Sequence, residues 1–382
     1  MRTEININPN IYIWAINRAG YKLHDFVIIN PKIKDWIDKK KNPTVKQLET
    51  FSKKVHLPFG YLLLPEPPKE SLPIPFFRTN NIQTQSVSIN VYDTILLMQQ
   101  RQDWLKEYLI DNDFEPLLFV SKFKNKENYE EIVTDIRNVI GIAPEWASGI
   151  NTWQTALEYI TQKIEESGII IVFNGVFENN NSRPIQVDEC RGFVLVDKMA
   201  PFMFINSSDA KAAQLFTIFH ELAHIWTGQS AGFDFRKLQP ANEPIEIICD
   251  KIAAELLVPT NSLNKFWKEC ISIQSAARYF KVSEIVIARR ALDLGKLTNH
   301  EFFLFYEEYS NREFKKKENK STGGDFYATT KKRLSLTFAA HINQAVKTGY
   351  LLYRDAYKLT SLKGDTYNTF FTKQFTNKRV SL

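Results

Sequence analysis

Residues 216–226 read FTIFHELAHIW, and two of the six histidines in the 382-residue chain stand four apart in this otherwise apolar run. An α-helix turns once every 3.6 residues, so His220 and His224 project from one face and their imidazoles can meet at a point. Glu221 lies beside His220, within reach of a ligand held there. Leu215, Ile218, Phe219, Leu222, Ile225 and Trp226 take most of the remaining surface and anchor the helix in a core. This is the H-E-x-x-H pattern, in which two neutral imidazoles bind Zn²⁺ and the glutamate serves as general base. The plainer reading is two core histidines satisfied by hydrogen bonds.

A catalytic zinc site takes three protein ligands and keeps one position open. Downstream lies NEPIEIICDKIAAELLVP, with Glu243, Glu246, Asp250 and Glu255 as acidic candidates. Glu246 and Asp250 are four apart and share a helix face with the small residues Cys249, Ala253 and Ala254, which allow another helix to approach closely. Glu246 is therefore expected to complete the metal set. Asp250 is expected behind it, fixing the tautomer of a ligating imidazole. Glu243, nearer the loop, and Glu255, a turn further on, read as solvated. Zn²⁺ is the expected cofactor, with Mn²⁺ as an alternative because imidazole and carboxylate suit several metals. Glu221 then acts as general base on a metal-bound water, and the reaction is peptide hydrolysis.

The rest of the chain frames this helix. Residues 1–64 read as five short helices with tight turns, a small DNA-binding-type domain. The proline-rich PEPPKESLPIPFFRT opens an extended linker over 65–87. Residues 88–270 form the expected peptidase domain. It holds helical segments to 166, then the strand-like runs GIIIVFNGVF, CRGFVLVD and APFMFINSS, and then the active helix and its partner. FMFINSS is read as an edge strand able to pair with an extended substrate, which makes Asn206 substrate-facing. An ordinary core strand is the other reading. Residues 271–314 look helix-turn-helix-like, with Arg289 and Arg290 on the second helix. Residues 315–382 form a basic, helical C-terminal region. The fold class expected is α+β: a mainly helical, zincin-like core with a small β-sheet packed on the active helix, flanked by helical regions.

Charge is unevenly spread. Residues 1–56 carry 11 Lys/Arg against 5 Asp/Glu, residues 57–311 carry 23 against 33, and residues 312–382 carry 15 against 5. Basic ends can meet nucleic acid or an acidic protein, or simply stay solvated. Lys32, Lys34, Lys39, Lys40 and Lys41 are the candidates for phosphate contact. Pro31 stands where a reading helix should begin, so this domain can instead dock a protein partner. No apolar run is long enough to span a bilayer, and no leader-like segment follows Met1. Cys190, Cys249 and Cys270 lack zinc-knuckle spacing and fit reduced thiols. A cytoplasmic protein is expected.

RGFVLVDKMAPFMFINSSDAKAAQLFTIFHELAHIWTG, followed by EIICDKIAAELLVP, resembles the ImmA/IrrE family of zinc metallopeptidases. LPFGYLLLPEPPKESLPIPFFRT resembles the segment joining an Xre-type helix-turn-helix to the peptidase in fused members. IQSAARYFKVSEIVIARRALDLGKLT and GGDFYATTKKRLSLTFAAHINQAV resemble their C-terminal regions. By this resemblance His220, Glu221, His224 and Glu246 are the metal and catalytic residues. The resemblance also implies cytoplasmic cleavage of a transcriptional repressor. The third-ligand motif usually ends E-x-x-A-N, whereas here Cys249 and Asp250 hold the last two places. Phe76 stands where an acidic residue usually precedes Phe-Arg-Thr. The competing function is a DNA-binding regulator, or a toxin–antitoxin component, whose peptidase-like part is a sensor or scaffold.

Overall fold

A computed structural model of the chain describes residues 4–68, 76–77, 88–124, 128–229, 231–233, 244–270, 272–312 and 325–375. The chain divides into two units, one of residues 1–73 and 83–95, the other of residues 74–82 and 96–382.

Four helices and a 3-10 turn (Phe59–Leu63) build the first unit: α1 (Pro9–Arg18), α2 (Leu23–Ile29), α3 (Pro31–Ile37) and α4 (Val45–Lys54). The Asn8 side chain accepts the Asn10 N–H, and Pro9 fills the first turn, where its missing donor costs nothing. At the start of α4 the Thr44 N–H donates to Gln47 Oε1 at 2.8 Å. Ile11, Ala15, Ile16, Phe26 and Leu48 surround the rings of Tyr12, Trp36 and Phe51, whose centroids lie 5.5–6.3 Å apart. Trp36 on α3 is therefore a core residue.

The second unit is a sheet with helices around it. Its strands are β1 (Phe76–Phe77), β2 (Ile170–Asn174), β3 (Gly192–Leu195), β4 (Phe202–Asn206) and β5 (Ala231–Phe233), in spatial order β1-β5-β3-β4-β2. β2 runs parallel to β4, and β3 runs antiparallel to both β4 and β5. β4 is thus central, which corrects the expectation of an edge strand. Its backbone groups are taken by β2 and β3 and cannot pair with a substrate. Of the expected linker, β1 is described and pairs in parallel with β5. Residues 69–75 and 78–87 lie outside the described residues, as does the charged segment at 315–324.

Among the helices, α5 (Ile89–Asp111) enters this unit from residue 96, followed by α6 (Tyr129–Ile140) and α7 (Trp153–Glu166). The pivotal helix is α8 (Lys211–Thr227), buried without a break from Thr217 to Thr227 and ended by Gly228 in the left-handed conformation at φ +81°. Trp226 stacks on Phe119 at 4.5 Å and its indole N–H donates to Asp135 at 2.9 Å. On α5, the buried Gln102 amide donates to the carbonyls of Leu195 and Ala200, both at 2.8 Å, and so holds the β3–β4 turn.

α8 packs tightly on the sheet at Gly192. A Cβ there would meet Thr217 Cγ2 at 2.5 Å and the Phe204 carbonyl at 2.9 Å. Gly192→Val is expected to lower stability by about 1–3 kcal/mol, the usual range for overpacking a core. A fall in the urea midpoint at unchanged slope is the readout, and an unchanged midpoint would mean that α8 is not seated there.

Downstream run α9 (Pro244–Leu257), α10 (Thr260–Glu269), α11 (Ile273–Phe280), α12 (Glu284–Asp293) and α13 (Asn299–Asn311). The basic C-terminal region forms α14 (Phe326–Leu334), α15 (Leu336–Lys347), α16 (Tyr353–Thr360) and α17 (Gly364–Phe375). Phe338 meets the rings of Trp104 and Phe202 edge-on at 5.8 and 5.6 Å. The buried Arg101 donates to the carbonyls of Leu359 and Arg333, and burial lowers its pKa to about 10. No described helix is long and apolar enough to cross a membrane.

Candidate metal centre

α8 and α9 cross face to face because Cys249, Ile252, Ala253 and Leu256 bury one side of α9 against the same core that takes α8. Small side chains at 249 and 253 permit the approach, and it brings the acidic face of α9 over the two histidines. His220 Nε2 lies 3.1 Å from Glu246 Oε2, and His224 Nε2 lies 3.2 Å from Glu246 Oε1. The two Nε2 atoms are 3.1 Å apart. All three side chains are buried.

These distances suit a metal. A tetrahedral ion with bonds of about 2.0–2.1 Å has ligand edges of about 3.3–3.4 Å. The three donor atoms already stand near that spacing. They form the only group of three or more His, Cys, Asp or Glu with such geometry among the described residues.

His220 Nδ1 lies 2.9 Å from Asp250 Oδ1. A carboxylate can only accept, so the proton sits on Nδ1 and donates to Asp250, leaving Nε2 free to ligate. Burial disfavours a charged ring, yet the hydrogen bonds and charges of Asp250 and Glu246 prevail and hold His220 up at about 10 without a metal. Burial also raises Glu246, but hydrogen bonds from both histidines pull it far below the usual carboxylate range. His224 is lowered, chiefly by burial. A cation held by the two Nε2 atoms and Glu246 would compete with any proton bound there.

Glu221 is different. It is 1% exposed, and neither carboxylate oxygen has a hydrogen-bond partner. Burial raises it to about 8, with the His220 charge opposing and the Glu246 charge adding. A buried carboxylate with no donor is costly, so its place beside the ligand set calls for an explanation beyond packing.

Asp250→Asn is expected to weaken metal affinity about 10–100-fold, the usual cost of losing an outer partner of a ligating histidine. Competition with a chelator measures it. Equal affinities would show that Asp250 does not orient the ring.

The other expectations fare variously. Asn206 is fully buried, and its amide donates to the carbonyls of Ile185 and Cys190 at 3.0 and 2.9 Å. It pins the loop after β2 and does not face a substrate. Glu255 is not solvated: it pairs with the buried Arg290 and accepts from the Thr260 N–H and hydroxyl. Arg290 also donates to the Val258 carbonyl at 3.1 Å, so this buried side chain closes the end of α9. Nothing near Glu255 in sequence signals this, because Arg290 is 35 residues away. Glu243 lies outside the described residues. Lys32 and Lys34 are exposed on α3, Lys39 takes a left-handed φ of 56°, and Lys40 and Lys41 pair with Asp38 and Asp35 at 3.1 and 3.3 Å.

Comparison with known families supports the class of the site. Residues 164–292, from the end of α7 through α12, match the peptidase M78 family model, described as an IrrE N-terminal-like domain. Residues 334–373, covering α15, α16 and most of α17, match a family described as a domain of unknown function. No curated protein and no solved structure matches the chain. The first match covers about a third of the chain, including both helices of the ligand set, and supports a metallopeptidase-like domain of the ImmA/IrrE kind.

Proposed function

We propose that the chain is a zinc-dependent endopeptidase that hydrolyses a peptide bond in a protein, a transcriptional repressor. The observation that carries the reading is Glu221, a fully buried carboxylate without a partner, one residue from a ligand of a closed three-donor cluster. His220, His224 and Glu246 would hold the ion, and two imidazoles with one carboxylate suit Zn²⁺ first and Mn²⁺ second. When bound, the metal polarises the scissile carbonyl and lowers the pKa of water.

The chain's own groups do the rest. Asp250 keeps the His220 proton on Nδ1. Glu221, raised toward neutrality by burial, takes a proton on a carboxylate oxygen and delivers it to the leaving amine nitrogen. The repressor as substrate rests on the resemblance to the ImmA/IrrE family and on the basic first unit, which suits a module that meets a regulatory partner.

The test is co-expression with candidate transcriptional repressors, those encoded in neighbouring genes first. A discrete cut product is expected, lost on chelation and restored by Zn²⁺. An intact repressor in the presence of metal-loaded protein would remove the substrate from this reading. No metal uptake would remove the reading itself.

A further inference from the structure

We propose that the chain self-associates head to tail, with the exposed face of α13 in one copy seated in a cleft between α3 and α4 of another. The cleft has a volume of about 940 Å³. Ile29, Ile33 and Val45 line it together with Lys32, Lys46 and Lys54, and no carboxylate is among its lining residues. Ile29 is 75% exposed at its rim. Asp35 pairs with Lys41 and Asp38 with Lys40. The cleft is therefore apolar, cationic and open to solvent.

α13 offers the complementary surface. Phe302, Phe305, Tyr306 and Tyr309 pack inward on Ile285 and Ala288. The opposite face, His300, Phe303, Leu304, Glu307, Glu308 and Asn311, repeats at intervals of three and four and is exposed throughout. Phe303 and Leu304 are 61% and 54% exposed in its middle, with Glu307 and Glu308 one turn on. Adjacent exposed Phe and Leu on a helix otherwise sorted into an inner and an outer face mark a contact surface. Arg312 holds Glu284 and Glu308, which leaves Glu307 as the carboxylate of this face with no ion pair among the described residues. An amphipathic helix laid in a groove is a common docking mode, with apolar anchors supplying affinity and flanking charges setting the register. Duplex DNA fits less well, since phosphates gain nothing from Ile29 and Val45.

The experiment is sedimentation of the full chain over a range of concentrations, at low and high salt. Association is expected to strengthen at low salt, and because the contact is not self-complementary the mass can grow past a dimer. Lys32→Glu with Lys46→Glu, and separately Glu307→Lys with Glu308→Lys, should each weaken association at least about tenfold. Mixing the two variants should restore association, since the two wild-type surfaces meet and the two reversed surfaces also match in charge. All four positions are exposed, so circular dichroism is expected to stay unchanged and to separate loss of contact from loss of fold. A monomeric wild type at every concentration overturns the proposal. So does association that the charge reversals leave untouched, which would place the contact elsewhere. Duplex DNA that binds the cleft with the same lysine dependence, without self-association, overturns it in favour of phosphate contact.

Discussion

Glu221→Gln is expected to lower cleavage about 10²–10⁴-fold, the usual contribution of a positioned general base, while metal content stays unchanged. The amide keeps the shape of the carboxylate but cannot take a proton. It leaves His220, His224 and Glu246 in place, so only proton transfer is removed. Single-turnover cleavage with metal-loaded protein is the measurement. Wild-type rates in the variant would show that Glu221 is a passive core residue.

The same substitution has a pH signature in the metal-free protein. Unfolded, the carboxyl ionises near its ordinary 4.5, whereas folded it holds its proton up to about 8. The folded state therefore binds more protons between those values, and stability falls as pH rises through that window. Glu221→Gln removes this part of the slope. His220, raised from 6.5 to about 10, adds a loss in the same direction over its own higher window, and that part remains in the variant. Urea midpoints at pH 5 and pH 8 compare the two proteins. Parallel curves would mean that Glu221 is solvated in the metal-free protein.

Glu246→Ala is expected to reduce metal affinity by more than about 100-fold, beyond the usual loss from an outer partner, because it removes a donor atom itself. It also deletes the acceptor that both imidazoles approach at 3.1–3.2 Å. Metal bound to the folded state stabilises it by mass action, so chelation should lower the melting temperature of the wild type. The variant should melt at one temperature with or without chelator. A variant that still takes up one equivalent of zinc tightly would move the third ligand to another residue.

Much of the site is legible along the chain because it is local. The spacing of His220 and His224 depends only on helical pitch, and so does the shared face of Glu246 and Asp250. The strand-like runs appear as β2, β3 and β4 within a few residues of their expected bounds, since β-branched and aromatic side chains suit a buried sheet. The departures are all questions of who neighbours whom. FMFINSS has the pattern of a strand, and a pattern cannot say whether a strand is central or at an edge. Asn206 has the polarity of a surface residue, yet it is buried with its amide donating to two carbonyls 16 and 21 residues upstream. Glu255 and Glu246 are equally acidic and lie on one helix.

The sequence by itself determined that α8 is a buried helix with two imidazoles and a carboxylate at one place, because helix periodicity and apolar patterning act over a few residues. Only the tertiary structure decided that α9 crosses there, that Glu255 is paired and not solvated, and that Glu221 stands without a donor. Those facts depend on close packing at Cys249 and Ala253, and on Arg290 capturing Glu255 from another helix. Such contacts join residues far apart in the chain, so no local pattern encodes them.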